Sequence, residues 1–190
     1  MDYLDKEKLI HAVREKGYEI ATIDDLMNIG KKNKDLIPIL LKYIDETSDE
    51  SSKRFIVRCL GVKGFFEASA TLIREFYQAT DSSYKWTIGN SLGLISDKDV
   101  LPDMLKIVQE KEHGTARQMI VYNLGKFDCP ETRQVLIGLL SDKDVVGHAI
   151  HAISKLHDKS LIKFIEPFQT YEVTWIRNAA KSAIKKLEKC

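Results

Sequence analysis

Two histidines, His148 and His151, form the most chemistry-like constellation in this sequence. They are three residues apart, so on a helix they would share one face and could together hold a divalent metal. No glutamate lies between them in the arrangement of a metalloprotease, and the spacing fixes no third ligand. Histidines that pack at a helix surface account for the pair more simply, and the sequence predicts no metal site.

The phrase Ser-Asp-Lys-Asp-Val occurs twice, at residues 96–100 and 141–145. Its two aspartates suggest cation binding, but neither copy continues as an EF-hand calcium loop. A serine or aspartate before an apolar residue is also how many helices begin, because the side chain can accept a hydrogen bond from the free backbone N–H groups of the first turn. We therefore interpret both copies as turns that start a helix.

No other arrangement of residues specifies a reaction. The sequence has no nucleophile elbow, no phosphate-binding loop and no dinucleotide fingerprint. Cys59, Cys129 and Cys190 are far apart and include no CxxC pair, which argues against a disulfide framework or a zinc site and favours reduced thiols in the cytoplasm. The sequence predicts a protein that is not an enzyme and needs no cofactor.

The composition limits the class of partner. The 190 residues include 29 basic and 28 acidic side chains, so the chain lacks the strong positive charge typical of nucleic-acid-binding proteins. The N-terminal segment MDYLDKEKLIHAVREKG mixes charges with apolar residues and resembles neither a signal peptide nor a membrane span. We expect a cytoplasmic protein that does not associate with membranes.

A repeat organises the whole chain. Leu60, Leu92 and Leu124 are each followed by glycine and lie 32 residues apart. Extending this period in both directions gives the complete set of landmarks, which are Ile29, Leu60, Leu92, Leu124, Leu156 and Leu187. From Leu60 onward, most landmarks are preceded by apolar residues three and four positions earlier, which is the stripe of an amphipathic helix.

A second helical segment lies between successive landmarks, and no segment alternates as a strand would. The predicted helices are 2–16, 22–30, 34–45, 50–61, 65–79, 82–95, 98–111, 115–126, 130–140, 144–156, 159–168 and 172–188. Thr22 and Asp25 have the spacing of a capping box, and the glycines at 30, 61, 93 and 125 are typical of the left-handed residue that closes a helix.

The segments YKWTIGNSLG and ARQMIVYNLG resemble a HEAT-like repeat of the short bacterial type that is also seen in phycobilisome lyases. Lys85 and Arg117 occupy the position where that family has arginine. The resemblance covers about residues 20–188, but Ala149 departs from the arginine position and His157 replaces the glycine. It implies an all-α fold in a single domain over residues 1–190, a right-handed α-α superhelix (a HEAT-like solenoid) of about six antiparallel helix pairs.

The best candidate site is one face of the landmark helices. The positions six and two residues before a landmark are neighbours on a helix and lie off the apolar stripe. The predicted partner-binding residues at these positions are Arg54, Arg58, Trp86, Asn90, Gln118 and Tyr122. Tryptophan, tyrosine and arginine are enriched at binding hot spots. The alternative is that Trp86 packs against a neighbouring helix, as buried tryptophans usually do.

Lys53, Lys85 and Arg117 form a second series at the family's arginine position. We interpret it as a structural charge ladder that ties neighbouring repeats together through carboxylates, with Asp49, Asp81 and Glu112 upstream as candidate partners. A row of phosphate-binding side chains is the alternative.

Three functions remain open. The first is a non-catalytic scaffold or adaptor that binds another protein along its concave helix face. The second is a nucleic-acid-binding protein similar to the DNA glycosylases for alkylated bases that are built from HEAT-like repeats; Arg54, Arg58, Lys85, Trp86 and Arg117 would supply its basic face. The third, a bilin lyase, is implied by the repeat type alone, since no residues suited to a chromophore stand out.

Overall fold

The computed structural model describes residues 4–190 and is all-helical over that range. Eleven α-helices occur there: α1 Lys6–Arg14, α2 Ile37–Glu46, α3 Glu50–Leu60, α4 Ser69–Gln78, α5 Ser82–Ile95, α6 Leu101–Gln109, α7 Gln118–Leu124, α8 Pro130–Gly138, α9 Val146–Ile153, α10 Ile162–Ile165 and α11 Thr174–Leu187. None of these helices is long and apolar enough to span a membrane.

Short 3₁₀ helices replace or extend several predicted α-helices. The predicted element 22–30 is a 3₁₀ helix, Ile23–Asn28, and α2 is entered through another, Lys34–Leu36. The predicted helix 159–168 is an α-helix only over Ile162–Ile165 and continues as a 3₁₀ helix, Glu166–Thr170. Pro167 lies at this change, where it has no N–H to donate to the helix. The periodicity located these segments, but it did not distinguish the two kinds of helix.

The chain divides into two compact units, Met1–Val100 and Leu101–Cys190. In the first unit, α2 packs against α3 and α4 packs against α5, while α3 and α5 also pack against each other. We call α3, α5, α7, α9 and α11, which carry the landmark leucines or lie beside them, the second helices. Leu60 and Leu92 are buried in the core of this unit.

The second unit repeats the same arrangement. Its packed pairs are α6 with α7, α8 with α9 and α10 with α11, and the second helices α7, α9 and α11 pack in that order. Leu124, Leu156 and Leu187 are all buried. These landmark leucines are therefore core residues. Burial of each leucine side chain stabilises the fold by roughly 1.5–3 kcal/mol. Ile29, in the first unit, is only half-buried.

The glycines after the landmarks do not close helices in the left-handed conformation, and that prediction was wrong. Gly61 has φ −69° and Gly125 has φ −62°, and α5 continues past Gly93 to end at Ser96, whose φ is 60°. Gly125 is needed because a Cβ atom there would lie 2.5 Å from the backbone oxygen of Ala152. The glycine thus permits close approach of two second helices.

At Gly61 the neighbour is the Ser91 side chain of the next second helix, which would lie 2.9 Å from an added Cβ atom. The Ser91 hydroxyl donates a hydrogen bond to the Val57 carbonyl over 2.9 Å. Both units therefore use a glycine after the landmark leucine to bring consecutive second helices together.

The predicted capping box is present, because the Asp25 carboxylate accepts a hydrogen bond from the Thr22 backbone N–H over 2.8 Å. The two Ser-Asp-Lys-Asp-Val copies share one local turn. In each copy the first aspartate accepts from the N–H of the second at 3.0 Å, Asp97 from Asp99 and Asp142 from Asp144. The aspartate shapes the turn, whereas α9 itself begins after Val145 without a side-chain cap.

Candidate functional site

The predicted site residues of the first unit lie on two helices that pack together, α3 and α5. Arg58 is exposed on α3. Arg54 is half-buried, and its guanidinium Nη2 lies 2.8 Å from the Asp81 carboxylate at the start of α5. Arg54 therefore ties the two helices together, while Arg58 faces solvent.

Trp86 is 40% exposed, so it is not a core residue. Asn90, four residues later, is half-buried, and Leu94, another four residues on, is 46% exposed. Residues four apart lie above one another on a helix, so these three side chains form a line along α5. A helix that exposes two large apolar side chains on one line has a surface suited to a partner.

Met27 is a further exposed apolar residue of this unit that the sequence analysis missed. It lies two residues before the Ile29 landmark, which is the register of Arg58 and Asn90, so the repeat period was the signal that could have found it. Its sulfur lies 3.7 Å from the Cys59 thiol on α3. We call Met27, Arg58, Trp86, Asn90 and Leu94 the first-unit stripe.

The predicted site residues of the second unit are engaged in internal contacts. Gln118 donates a hydrogen bond from Nε2 to the Asp144 carbonyl at 3.0 Å. The Tyr122 ring lies beneath the Lys155 ammonium, which is 3.3 Å from the ring centroid and donates to the Tyr122 carbonyl at 3.1 Å. His151 meets the same ring edge-on, with centroids 6.1 Å apart. Tyr122 thus supports other side chains and is only half-exposed.

Lys155 was not identified from the sequence, and its environment is unusual for a lysine. Burial, followed by the charges of Lys126 and Lys186, lowers the pKa of its ammonium to about 8. Its reach over Tyr122 depends on the packing of α7 against α9, which sequence spacing alone does not give. We call Lys126, Lys155 and Lys186 the positive corner of this unit, because the charges of the first and third act on the second.

Trp175 is a second exposed tryptophan, 49% exposed at the start of α11. One side of its ring covers Gly147, where an added Cβ atom would clash with the indole. His148 contacts the ring edge-on, with centroids 5.8 Å apart. Burial and the nearby His151 lower the pKa of His148, whose Nδ1 atom is buried without a hydrogen-bond partner among the described residues.

The residues of the charge ladder make internal contacts, but Lys53 and Arg117 pair with carboxylates other than the predicted upstream ones, and Lys85 contacts an aromatic ring. Lys53 pairs with Glu75 at 2.8 Å, and the Tyr84 hydroxyl donates to the same carboxylate oxygen at 3.0 Å. Asp49 instead caps α3 by accepting from the N–H of Ser52. The Lys85 ammonium lies 5.3 Å from the centre of the Phe76 ring.

Arg117 is completely buried and is the most strongly held member of this series. Its guanidinium donates to the carbonyls of Gly114 and Val108 and to the Asp142 carboxylate, at 2.9, 2.7 and 2.9 Å. Burial raises the pKa of Asp142, but the hydrogen bonds from Arg117 and the Asp144 backbone outweigh it and leave that pKa below its ordinary value. Arg117 therefore cannot contact an external phosphate.

The described residues bring one set of metal-ligating side chains within 4.8 Å, namely Glu110, Glu112 and His113. His113 and Glu110 already contact each other at 3.1 Å, and Lys106 lies 3.9 Å from Glu110. Glu110 thus already has partners within the protein, and the cluster has no feature that demands an ion. His148 and His151 are not part of it.

In comparisons with known proteins, no family model matches the chain and no curated protein is similar to it. The HEAT-like assignment therefore stays a prediction from the sequence.

Proposed function

We propose that this protein is a non-catalytic, HEAT-like helical-repeat scaffold or adaptor that binds another protein on the exposed faces of its second helices. The proposal includes a right-handed superhelix of antiparallel helix pairs in one repeat domain. The packing of second helix upon second helix within each unit, and the buried landmark leucines, support it.

The observation that carries the proposal is the exposure of Trp86. A tryptophan 40% exposed on a well-packed helix leaves a large apolar area in water, which binding to a partner would bury. Arg58 on the adjacent helix and Asn90 beside the indole add polar groups that can fix the orientation of a partner. Leu94, further along α5, and Met27, beside Cys59 of α3, are exposed apolar residues of the same unit.

A protein partner accounts for this surface better than nucleic acid does. Of the basic residues proposed for a nucleic-acid face, Arg54 is paired with Asp81 and Arg117 is buried on Asp142. Phosphate recognition needs basic side chains free to neutralise charge, and the first-unit stripe itself contains one arginine. The whole chain has a formal net charge of +1.

The test compares Trp86→Ala with Tyr77→Ala. Tyr77 is a similarly exposed aromatic, 41%, but lies on α4 rather than on a second helix. The partner is captured from the source cell with the wild-type protein, identified by mass spectrometry and purified. Its affinity for each variant is then measured by calorimetry.

We expect Trp86→Ala to weaken binding by about tenfold or more and Tyr77→Ala to change it by less than about threefold. Both variants should keep the wild-type melting temperature to within a few degrees. Loss of folding in Trp86→Ala would show that the indole is needed for the core. Salt-sensitive binding of duplex DNA by the wild-type protein, with no protein partner captured, would favour the nucleic-acid function instead.

A further inference from the structure

The exposed face of α11 is strongly basic and begins with an aromatic residue. Helix Thr174–Leu187 has four basic residues and no acidic one. At 100° per residue, its buried side chains face one way, and Trp175 and the exposed lysines are spread over the rest of the helix circumference, with Lys186 close to the direction of Trp175 and Lys181 about 120° from it. We call the set Trp175, Lys181, Lys185, Lys186 and Lys189 the α11 lysine face; Lys189 lies just beyond the end of the helix, and the exposed Glu188 beside it is the one acidic residue among these positions.

The lysines of this face have no carboxylate of the described residues within ion-pairing distance. This distinguishes them from Lys53, Arg117 and Arg133, which pair with carboxylates at 2.8, 2.9 and 2.6 Å. Unpaired like charges on one face repel one another, so the face would gain from an external anion.

The positive corner around Lys155 adjoins this face, because Lys186 belongs to both. Lys186 and Lys126 are near enough to Lys155 to act on its charge. Positive charge is therefore also present near the ends of α9 and α7 within the same unit. A bound anion would offset this mutual repulsion.

Trp175 adds an apolar anchor point. Its ring rests on Gly147 and His148 on one side and remains 49% exposed. Exposed indoles that are held in place on one side are effective partner contacts, because little side-chain freedom is lost on binding. The face can thus accept one apolar group near several negative charges.

An acidic peptide fits this chemistry better than nucleic acid. The three arginines of the second unit are all occupied: Arg117 and Arg133 by aspartates, and Arg177 by the carbonyls of Tyr171 and Glu172. Arginine is the residue best suited to phosphate, and none is available here. The Tyr122 ring, which could have stacked on a base, is covered by Lys155.

We propose that the α11 lysine face binds an acidic segment of a protein, with glutamates or aspartates on Lys181 and Lys185 and an apolar side chain on Trp175. This surface is distinct from the first-unit stripe, and the proposal does not depend on Trp86.

The test measures fluorescence anisotropy of a short fluorescein-labelled peptide of glutamate and leucine at low salt. A matched peptide with glutamine in place of glutamate and a single-stranded DNA of equal charge serve as the other probes. The test variant is Lys181→Glu with Lys185→Glu, and its control is Lys159→Glu with Lys163→Glu. The control lysines are also exposed, but Lys163 lies in α10 and Lys159 in the short 3₁₀ helix Lys159–Leu161 before it; both variants change the charge equally.

We expect the test variant to weaken binding of the acidic peptide by about tenfold or more and the control variant by less than about threefold. Trp175→Ala should weaken the acidic peptide several-fold, and Trp86→Ala should leave it unchanged. Equal losses in the two charge variants would show mere attraction to net charge and overturn the proposal. Tighter binding of DNA than of peptide, or binding of the glutamine peptide as tightly, would also overturn it. Circular dichroism confirms that each variant is folded.

Discussion

At the scale of single residues, the basic side chains of this protein fall into two groups: those that form an ion pair with a carboxylate and those that do not. The sequence located Arg117 in a series with Lys53, yet it suggested upstream carboxylates as partners. Asp142 lies 25 residues downstream of Arg117, and Glu75 lies 22 residues downstream of Lys53. Periodicity identifies a recurring position, but the choice of partner depends on which turn the next helix pair brings near it.

Arg117→Ala should destabilise the second unit by about 3–5 kcal/mol, because it removes the charged partner of the largely buried Asp142 and the donor to the Val108 and Gly114 carbonyls. Urea unfolding followed by circular dichroism measures the loss. Arg133→Ala is the matched control, since Arg133 also bonds to aspartates but its side chain is 36% exposed. Its loss should stay below about 1 kcal/mol. Comparable losses in the two variants would contradict the role that we give to burial.

The exposure of Trp86 and Trp175 marks the limit of prediction at this scale. The position of Trp86 relative to the landmarks predicts a contact residue, but it does not distinguish an exposed indole from a buried one. The sequence pattern does not predict the position of Trp175, because its ring is held in place by Gly147, which lies beneath it on another helix. Contacts between helices 28 residues apart leave no local pattern in the sequence.

At the scale of elements, the repeat period predicted the helices and their buried faces well, because a 3.6-residue pattern of apolar side chains is a direct consequence of helix geometry. The conformation of the glycines was predicted wrongly. Leu-Gly at a helix end is compatible with a left-handed cap and with close helix packing alike. Only the neighbouring helix decides between them.

Gly125→Ala should destabilise the second unit by roughly 1–3 kcal/mol, because the methyl group meets the Ala152 backbone, which cannot move aside easily. Gly138→Ala is the control. Gly138 has φ −60° in α8 and no neighbouring atom within 4 Å of an added Cβ atom. It should be neutral or stabilising by up to about 1 kcal/mol, since alanine favours helices. Thermal and urea unfolding of the two variants give the comparison; a stabilising Gly125→Ala would disprove the close contact.

At the scale of the molecule, each unit has a core that excludes water from its landmark leucines. Cys59, next to Leu60, is 2% exposed, whereas Cys190 is exposed. Burial raises the pKa of the Cys59 thiol from 9.0 to about 12. Because the folded pKa is the higher one, the contribution of this thiol to stability is complete below pH 9.0 and is lost as the pH rises toward about 12.

Alkylation with N-ethylmaleimide at mildly alkaline pH should therefore modify Cys190 rapidly and Cys59 only when the first unit opens. Mass spectrometry of the digested protein, with and without urea, measures both sites. We expect Cys59 to react at least about a hundredfold more slowly in the folded protein, since a buried thiol is reached through opening alone. Similar rates at Cys59 and Cys190 without urea would show that the first-unit core is accessible.

The contact between Gly125 and Ala152 has a consequence for how the second unit can deform. It joins the C-terminal ends of α7 and α9, where backbone meets backbone and no side chain can change rotamer to absorb a displacement. Near their N-terminal ends the contact is made by the Gln118 side chain, which donates a hydrogen bond to the Asp144 carbonyl and can change rotamer. Bending of this unit is therefore expected as a scissor-like change of the angle between α7 and α9 about that point, and not as sliding of one helix along the other.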